Sequence, residues 1–240
     1  MYHTIDRADT NLFADWVPET AFGKWFLRTG TWLKYVLTPA VTELKTMAGE
    51  RGVGTDRLLD IGCGEGRAFA LLAEAFKPRS IVGVDVDGGQ LARAASAAGM
   101  CPCPVKLQRN SITRLELPDS SIDVIFLHQL LHHCADQRGA LRELFRVARP
   151  GAVFLIGESC EVFIQTWSVR WFFRHPEGVQ KTAQGYVDLV RSAGFTVAED
   201  DIRITTPWWS LPDLGMLRRM GLSRGPVEPT EILLLARKPT

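Results

Sequence analysis

Residues 58–76 read LLDIGCGEGRAFALLAEAF, and their types and spacing carry chemistry. Leu58, Leu59 and Ile61 form a short apolar run of strand type. Gly62, Gly64 and Gly66 follow at alternate positions, and Phe69, Leu71, Leu72, Ala73, Ala75 and Phe76 then open an apolar, alanine-rich helix. Glycines between a strand and a helix permit positive φ and let a ligand approach the backbone. The helix start aims unpaired N–H groups at the same space. Asp60 closes the strand with a carboxylate beside that space, and Asp85 closes the next one, after Ser80-Ile81-Val82-Gly83-Val84. An acid about 20 residues beyond such glycines is the expected partner of a ribose diol. The spacing G-x-G-x-G is not the G-x-G-x-x-G of dinucleotide sites, which argues against a nicotinamide dehydrogenase.

Three further stretches extend the pattern: Asn110-Ser111-Ile112, then Ile122-Asp123-Val124-Ile125-Phe126 running into LHQLLHH (127–133), then Pro150-Gly151-Ala152. With the D-I-G-C-G-E-G turn, these resemble the motifs of class I S-adenosylmethionine-dependent methyltransferases. The likeness runs from about Val53 to Ser159 and is nearest to the small-molecule group that includes the quinone-biosynthesis C-methyltransferases, here termed type 11/25-like. The resemblance implies S-adenosyl-L-methionine as cofactor and S-adenosyl-L-homocysteine as product. It places Asp60, Gly62, Cys63, Gly64 and Gly66 against the cofactor's methionine part and ribose, and Asp85 with Val86 at the ribose hydroxyls. Asn110 and Ser111 fall at the adenine, where the family usually has Asp; the Asn110 carbonyl can still accept from an amino group. His128 lies just past the C-terminal end of strand four, where ligands gather in open α/β sheets. His128, His132 and His133 are the catalytic candidates, since His is the side chain best suited to remove an acceptor proton near neutral pH.

Elements that must hold these residues follow from periodicity. Strands are expected at Arg57–Ile61, Ile81–Val84, Val105–Arg109, Ile122–Leu127, Ala152–Gly157, Phe195–Ile204 and Glu231–Arg237. Helices are expected at Arg67–Phe76, Gln90–Ala98 (stopped by Gly99), Gln137–Ala148 and Thr182–Ala193. Alternation of strand and helix argues a parallel sheet with right-handed crossovers. The expected architecture is α/β: one Rossmann-like, seven-stranded, mostly parallel sheet with helices on both faces and an antiparallel last strand. To it are added an N-terminal helical cap over residues 1–52 and aromatic insertions at about 160–180 and 207–229 of the domain spanning 53–240.

All seven tryptophans, at 16, 25, 32, 167, 171, 208 and 209, lie in those additions. Tryptophan suits pocket walls and interfaces. Trp16, Trp25, Trp167, Trp171 and Trp208 are therefore candidates for an apolar acceptor pocket. Arg174, among the aromatics of the first insertion, could hold an anionic group on the acceptor. Ala21–Leu37 reads as a basic, aromatic amphipathic helix, expected to cap the cleft, with the next helix starting at Pro39. A helix of this kind can also dock on a membrane surface.

Composition bounds the rest. Of 240 residues, 46% are hydrophobic and 23% charged, and the net charge is +1, so no global field favours nucleic acid. The five cysteines, including Cys101-Pro-Cys103, show no metal-ligand spacing, and no metal is expected. The opening MYHTIDRADTN has neither a basic nor an apolar leader region, and no run has the 18 or so apolar residues of a membrane span, so a cytoplasmic location is expected. The expected function is methyl transfer from S-adenosylmethionine to a small apolar or aromatic metabolite by in-line displacement in a closed pocket. Two alternatives stand: a membrane-surface methyltransferase of a lipid-like acceptor such as a quinone or sterol, and a cofactor-binding, non-catalytic partner protein.

Overall fold

A computed structural model describes residues 17, 19–49, 56–211, 216, 220–222 and 228–240. Seven strands form one sheet in the order β3-β2-β1-β4-β5-β7-β6. They are β1 (Arg57–Ile61), β2 (Ser80–Asp85), β3 (Val105–Arg109), β4 (Ile122–His128), β5 (Ala148–Ser159), β6 (Ile202–Thr205) and β7 (Glu231–Arg237). The pairs β1–β2, β1–β4, β2–β3 and β4–β5 are parallel, while β7 runs antiparallel to both β5 and β6. The strand order turns back between β1 and β4, and it is outside the carboxyl ends of strands at such a point that ligands bind.

Helices cover both faces. On one face lie α3 (Thr38–Ala48), α4 (Phe69–Phe76) and α5 (Gly88–Met100), burying Leu44, Phe69, Leu72 and Ala94 against Leu58, Phe126 and Leu155. On the other, α6 (Gln137–Val147) and α9 (Ala183–Ser192) bury Leu141, Leu144, Tyr186 and Val190 against Ile125, Phe154 and Leu234. Before α3 come α1 (Ala21–Leu27) and α2 (Gly30–Trp32); after β5 come α7 (Glu161–Ile164) and α8 (Trp167–Phe172). Among the described residues no helix is long and apolar enough to cross a membrane.

Several boundaries differ from the sequence expectation, each for a physical reason. Ala21–Leu37 is not one helix. The chain breaks after α1, and Thr29 restarts it by accepting from the Trp32 N–H. Pro39 lies in the first turn of α3, as expected. It sits inside a continuous helical run, preceded by a π-turn at Leu33–Leu37 in which the Thr38 N–H reaches back to the Leu33 carbonyl. A wide turn of this kind is a recognised way to carry a helix past proline's missing donor and clashing ring. Gly99 does not stop α5, which runs on to Met100; Cys101 ends it, being the residue before Pro102, where helical backbone is disfavoured. At its start Asp87 Oδ1 accepts from the N–H groups of Gly89 and Gln90. β5 already pairs with β4 at Ala148, and Gly151 (φ 79°) bends it at the Pro-Gly pair. The expected long strand six contracts to β6, preceded by a short 3-10 turn at Glu199–Asp201 and one isolated bridge from Thr196 to Arg237.

Candidate functional site

The glycine turn after β1 is the base of a cleft at the carboxyl ends of β1, β2 and β4. Gly62 has φ 75°, and a Cβ there would stand 2.8 Å from Leu130 Cδ2. Gly66 has φ 76°, and its Cβ would meet Phe69 Cε2 at 2.4 Å. Both positions need glycine for conformation and for space. The N–H groups of Gly62 and Cys63 donate to the Val84 carbonyl at 2.8 and 3.0 Å, locking the turn onto β2. Asp85, buried at the end of β2, accepts from the N–H of Gly64 (2.8 Å) and of Asp87 (2.8 Å), one on each oxygen. A carboxylate has about four acceptor positions, so Asp85 keeps capacity for a ligand.

Electrostatically the base is unusual. Burial, with the Asp85 charge beside it, pushes the Asp60 carboxyl up to about 8, and burial also raises Asp85. Among the described residues Asp60 Oδ2, which is buried, has no hydrogen-bond partner. Neither ring nitrogen of His128 has one, and burial, with His132 nearby, pushes that imidazole down to about 3. The His128 ring is wedged parallel to Phe126 at 6.0 Å and edge-on to Trp32 at 5.9 Å. Buried polar atoms are normally satisfied; a carboxylate oxygen and two imidazole nitrogens without partners in one cleft mark a place that a polar ligand completes.

The additions form the upper wall. From α1 and the segment before it, Glu19, Lys24, Leu27 and Arg28 line the cleft, and Trp32 and Leu37 continue that side. Ion pairs tie α1 to the base: Arg28 Nε to Glu65 Oε1 at 2.7 Å, and Lys24 Nζ to Asp87 Oδ2 at 3.0 Å. Arg67 Nη1 donates to the Arg28 carbonyl at 2.7 Å. On its outer side α1 packs on the first insertion, with Phe22 4.7 Å from Phe172 between ring centres and Phe26 5.9 Å from Phe173. The two aromatic additions therefore meet each other.

The sequence-derived candidates distribute unevenly. Asp60, Gly62, Cys63, Gly64, Asp85, His128 and His133 line the cleft. Gly66 shapes the turn from beneath, and the Val86 carbonyl accepts from Arg109 Nε at 3.0 Å. Asn110 and Ser111 are buried in the turn after β3: Asn110 Oδ1 accepts from the Glu116 N–H at 3.3 Å, and Ser111 Oγ bonds Thr113 Oγ1 at 2.8 Å. His132 does not line the cleft; its Nδ1 stands 2.5 Å from Glu158 Oε2. Trp25, Trp167, Trp171 and Trp208 are exposed by half or more and do not line the cleft, nor does the exposed Arg174, whose N–H donates to Glu19 Oε1 at 2.9 Å. Trp16 lies outside the described residues.

Three residues escaped sequence reasoning. Glu158, wholly buried at the end of β5, holds the turn after β4 by accepting from the N–H groups of Leu130 (2.8 Å) and Leu131 (2.6 Å) and meeting His132. An acid closing an otherwise apolar strand was its only signal. Glu19 and Gln129 gave none. Gln129 sits at φ 55° with its Nε2 buried and unpartnered.

Residues 59–156 match the family model described as "Methyltransferase domain". The "Probable S-adenosylmethionine-dependent methyltransferase" of Mycolicibacterium smegmatis is 36% identical over 106 residues, covering 44% of this chain and 38% of that protein. The 27-O-demethylrifamycin SV methyltransferase of Amycolatopsis mediterranei is 30% identical over 168 residues, covering 65% of this chain and 60% of that protein. The match thus spans less than two thirds of either relative. A crystal structure of an S-adenosylmethionine dependent methyltransferase from Mesorhizobium loti shares the fold, with a TM-score of 0.61 at 21% identity over 82% of this chain and 96% of that one. Residues 59–156 are thus matched to a class I S-adenosylmethionine-dependent methyltransferase domain, for which S-adenosylmethionine is the cofactor.

The residues present fit that group. Its ribose diol calls for an accepting carboxylate, and Asp85 is a buried one at the end of β2 with acceptor capacity left. Its ammonium calls for a buried acceptor, and Asp60 Oδ2 is one.

Proposed function

We propose that this protein transfers a methyl group from S-adenosylmethionine to a small, largely apolar or aromatic metabolite. The observation that carries the reading is the cleft base, where Asp60 Oδ2 and both His128 nitrogens lie unpartnered beside the Gly62–Gly64 turn and Asp85. The bound cofactor supplies an already electrophilic methyl group, so the protein's share is binding, alignment and exclusion of water. Asp85 takes the ribose hydroxyls. Asp60 takes a donor from the methionine end and ionises as it does so, since a cation beside a buried carboxyl favours its charged form. Leu27, Trp32, Leu37, Phe126 and Leu130 give the cleft the apolar lining an aromatic acceptor needs.

His128 is neutral at physiological pH and poorly matched to proton removal, because an effective base has its pKa near the working pH. Its role is to hydrogen-bond cofactor or acceptor. His133 stands on the cleft wall 3.7 Å from Glu19 Oε2, and burial holds that ring well below the usual imidazole range while raising the Glu19 carboxyl. Burial thus disfavours charge on both side chains. The 27-O-demethylrifamycin SV methyltransferase is named for a small-molecule acceptor, which supports an acceptor of that size.

Titration calorimetry with S-adenosylmethionine is the first test, with binding expected in the micromolar to millimolar range; no heat of binding ends the reading. Proton release on binding, measured in buffers of different ionisation enthalpy at pH 7, tests the Asp60 role. Transfer of labelled methyl from the cofactor to a panel of hydroxylated aromatics tests the acceptor class, and labelling of charged polar acceptors alone overturns it.

A further inference from the structure

We propose that His132, His133 and His175 form a binding site for a transition-metal dication of the zinc type, against the wall of the cleft. Each ring offers one nitrogen, and the three nitrogens lie within 4.8 Å of one another. Ring centres are 4.4 Å apart for His132 and His133, 5.1 Å for His132 and His175, and 4.7 Å for His133 and His175. Zinc–imidazole bonds of about 2.0–2.1 Å in tetrahedral geometry bring ligand nitrogens to about 3.4 Å from each other. Small rotations of the rings cover the difference. The donor set is three imidazoles, which suits Zn²⁺, Co²⁺, Ni²⁺ or Cu²⁺ and not the oxygen-seeking Mg²⁺ or Ca²⁺.

Two features separate this group from a packed stack of rings. Metal-bound histidines commonly give their second nitrogen to a carboxylate or a backbone group, which fixes the ring and raises its basicity. Glu158 Oε2 meets His132 Nδ1 at 2.5 Å, which leaves Nε2 as that ring's ligand atom. Glu158 is itself held by two backbone N–H groups, so the support is rigid. The second feature is a fourth donor: Glu19 Oε2 is 3.7 Å from His133 Nε2. Glu19 and His133 both line the cleft, so the fourth position, filled by Glu19 or by an incoming oxygen or nitrogen, faces the place where an acceptor enters.

The ligands come from the turn after β4 and from the loop after α8, with Glu19 just ahead of α1. A bound ion therefore joins the sheet to both additions and fixes the height of the upper wall. This assignment stands on the histidine geometry and holds whether or not the methyl-transfer reading does.

The test uses the full chain with Cys101→Ser and Cys103→Ser, so that those two thiols, 3.8 Å apart, contribute no thiolate to the readout. After chelator treatment and dialysis against Zn²⁺, elemental analysis is expected to find one zinc per chain. Co²⁺ in its place is expected to give the visible d–d bands of a tetrahedral nitrogen and oxygen site, with no thiolate charge-transfer band. His175→Ala, at a half-buried position, is expected to abolish the Co²⁺ bands and stoichiometric zinc while leaving the circular dichroism spectrum unchanged. Glu158→Gln is expected to weaken zinc binding about 10–100-fold. Metal content at background in the parent protein overturns the proposal. So does zinc retained at full stoichiometry in His175→Ala, whatever becomes of the more buried His132 and His133 variants.

Discussion

The base and the upper wall of the cleft are built by different rules. At the base, shape comes from backbone: a glycine turn locked to β2 by two N–H bonds, and a carboxylate held by two more. Around the upper wall, shape comes from long side chains: Arg28 on Glu65, Lys24 on Asp87, and phenylalanines of α1 and α8 in contact. Backbone geometry tolerates no substitute, whereas exposed ion pairs contribute little and long side chains can repack. The base should therefore respond to single substitutions far more sharply than the additions do.

The largest effect is expected at Gly62→Val. Positive φ costs a β-branched residue about 1–3 kcal/mol, and the clash with Leu130 adds about as much, so denaturant titration should show a loss of about 2–6 kcal/mol. A loss below about 1 kcal/mol would break the contrast at its strongest point. Next is Asp60. Its carboxyl is raised from 3.8 to about 8, so between those values the folded protein keeps a proton that the unfolded chain releases. Stability of the cofactor-free protein then falls as pH rises through that window, on the order of a few kcal/mol by pH 8. Asp60→Asn should flatten this slope in melts compared at pH 5 and pH 8; a slope unchanged by the substitution refutes the assignment.

Asp85→Ala should weaken S-adenosylmethionine binding by about 1–3 kcal/mol, the scale for removing one partner of a buried polar contact. Unaltered affinity by calorimetry would remove Asp85 from the ribose. The smallest effect is expected at Trp171→Ala. This side chain is 77% exposed, and stability should move by no more than about 0.5 kcal/mol with cofactor affinity unmoved. A drop in cofactor affinity there would mean that the outermost aromatics reach into the base after all, and the contrast would need redrawing.

Legibility divides along the same line. The bounds of β1, β3 and β7 and the positive φ of the three glycines follow from local chemistry, and sequence carries local chemistry directly. The course of α1 to α3 does not, because a threonine cap and a π-turn ahead of Pro39 break and rejoin a pattern that reads as one amphipathic helix and a second one after it. The tryptophans mislead for a related reason. Large aromatic side chains are the natural choice for a pocket wall, yet of the five named for that role the four described are mostly solvent-facing, while the half-buried Trp32 stands beside His128. The partners of Glu158 and Glu19 become visible only once residues distant in sequence are brought together.

The place of β7 governs how the molecule can be made. Among the described residues β6 pairs only with β7, and β5 offers β7 the edge that β4 does not use. On a ribosome releasing the chain from its first residue onward, β5 therefore waits with a bare apolar border until residues 231–237 emerge and slot in backwards. A bare border of that kind invites pairing between molecules. Slowing synthesis just before this segment should raise the yield of aggregate, and supplying residues 228–240 as a separate peptide to a chain lacking them should lower it.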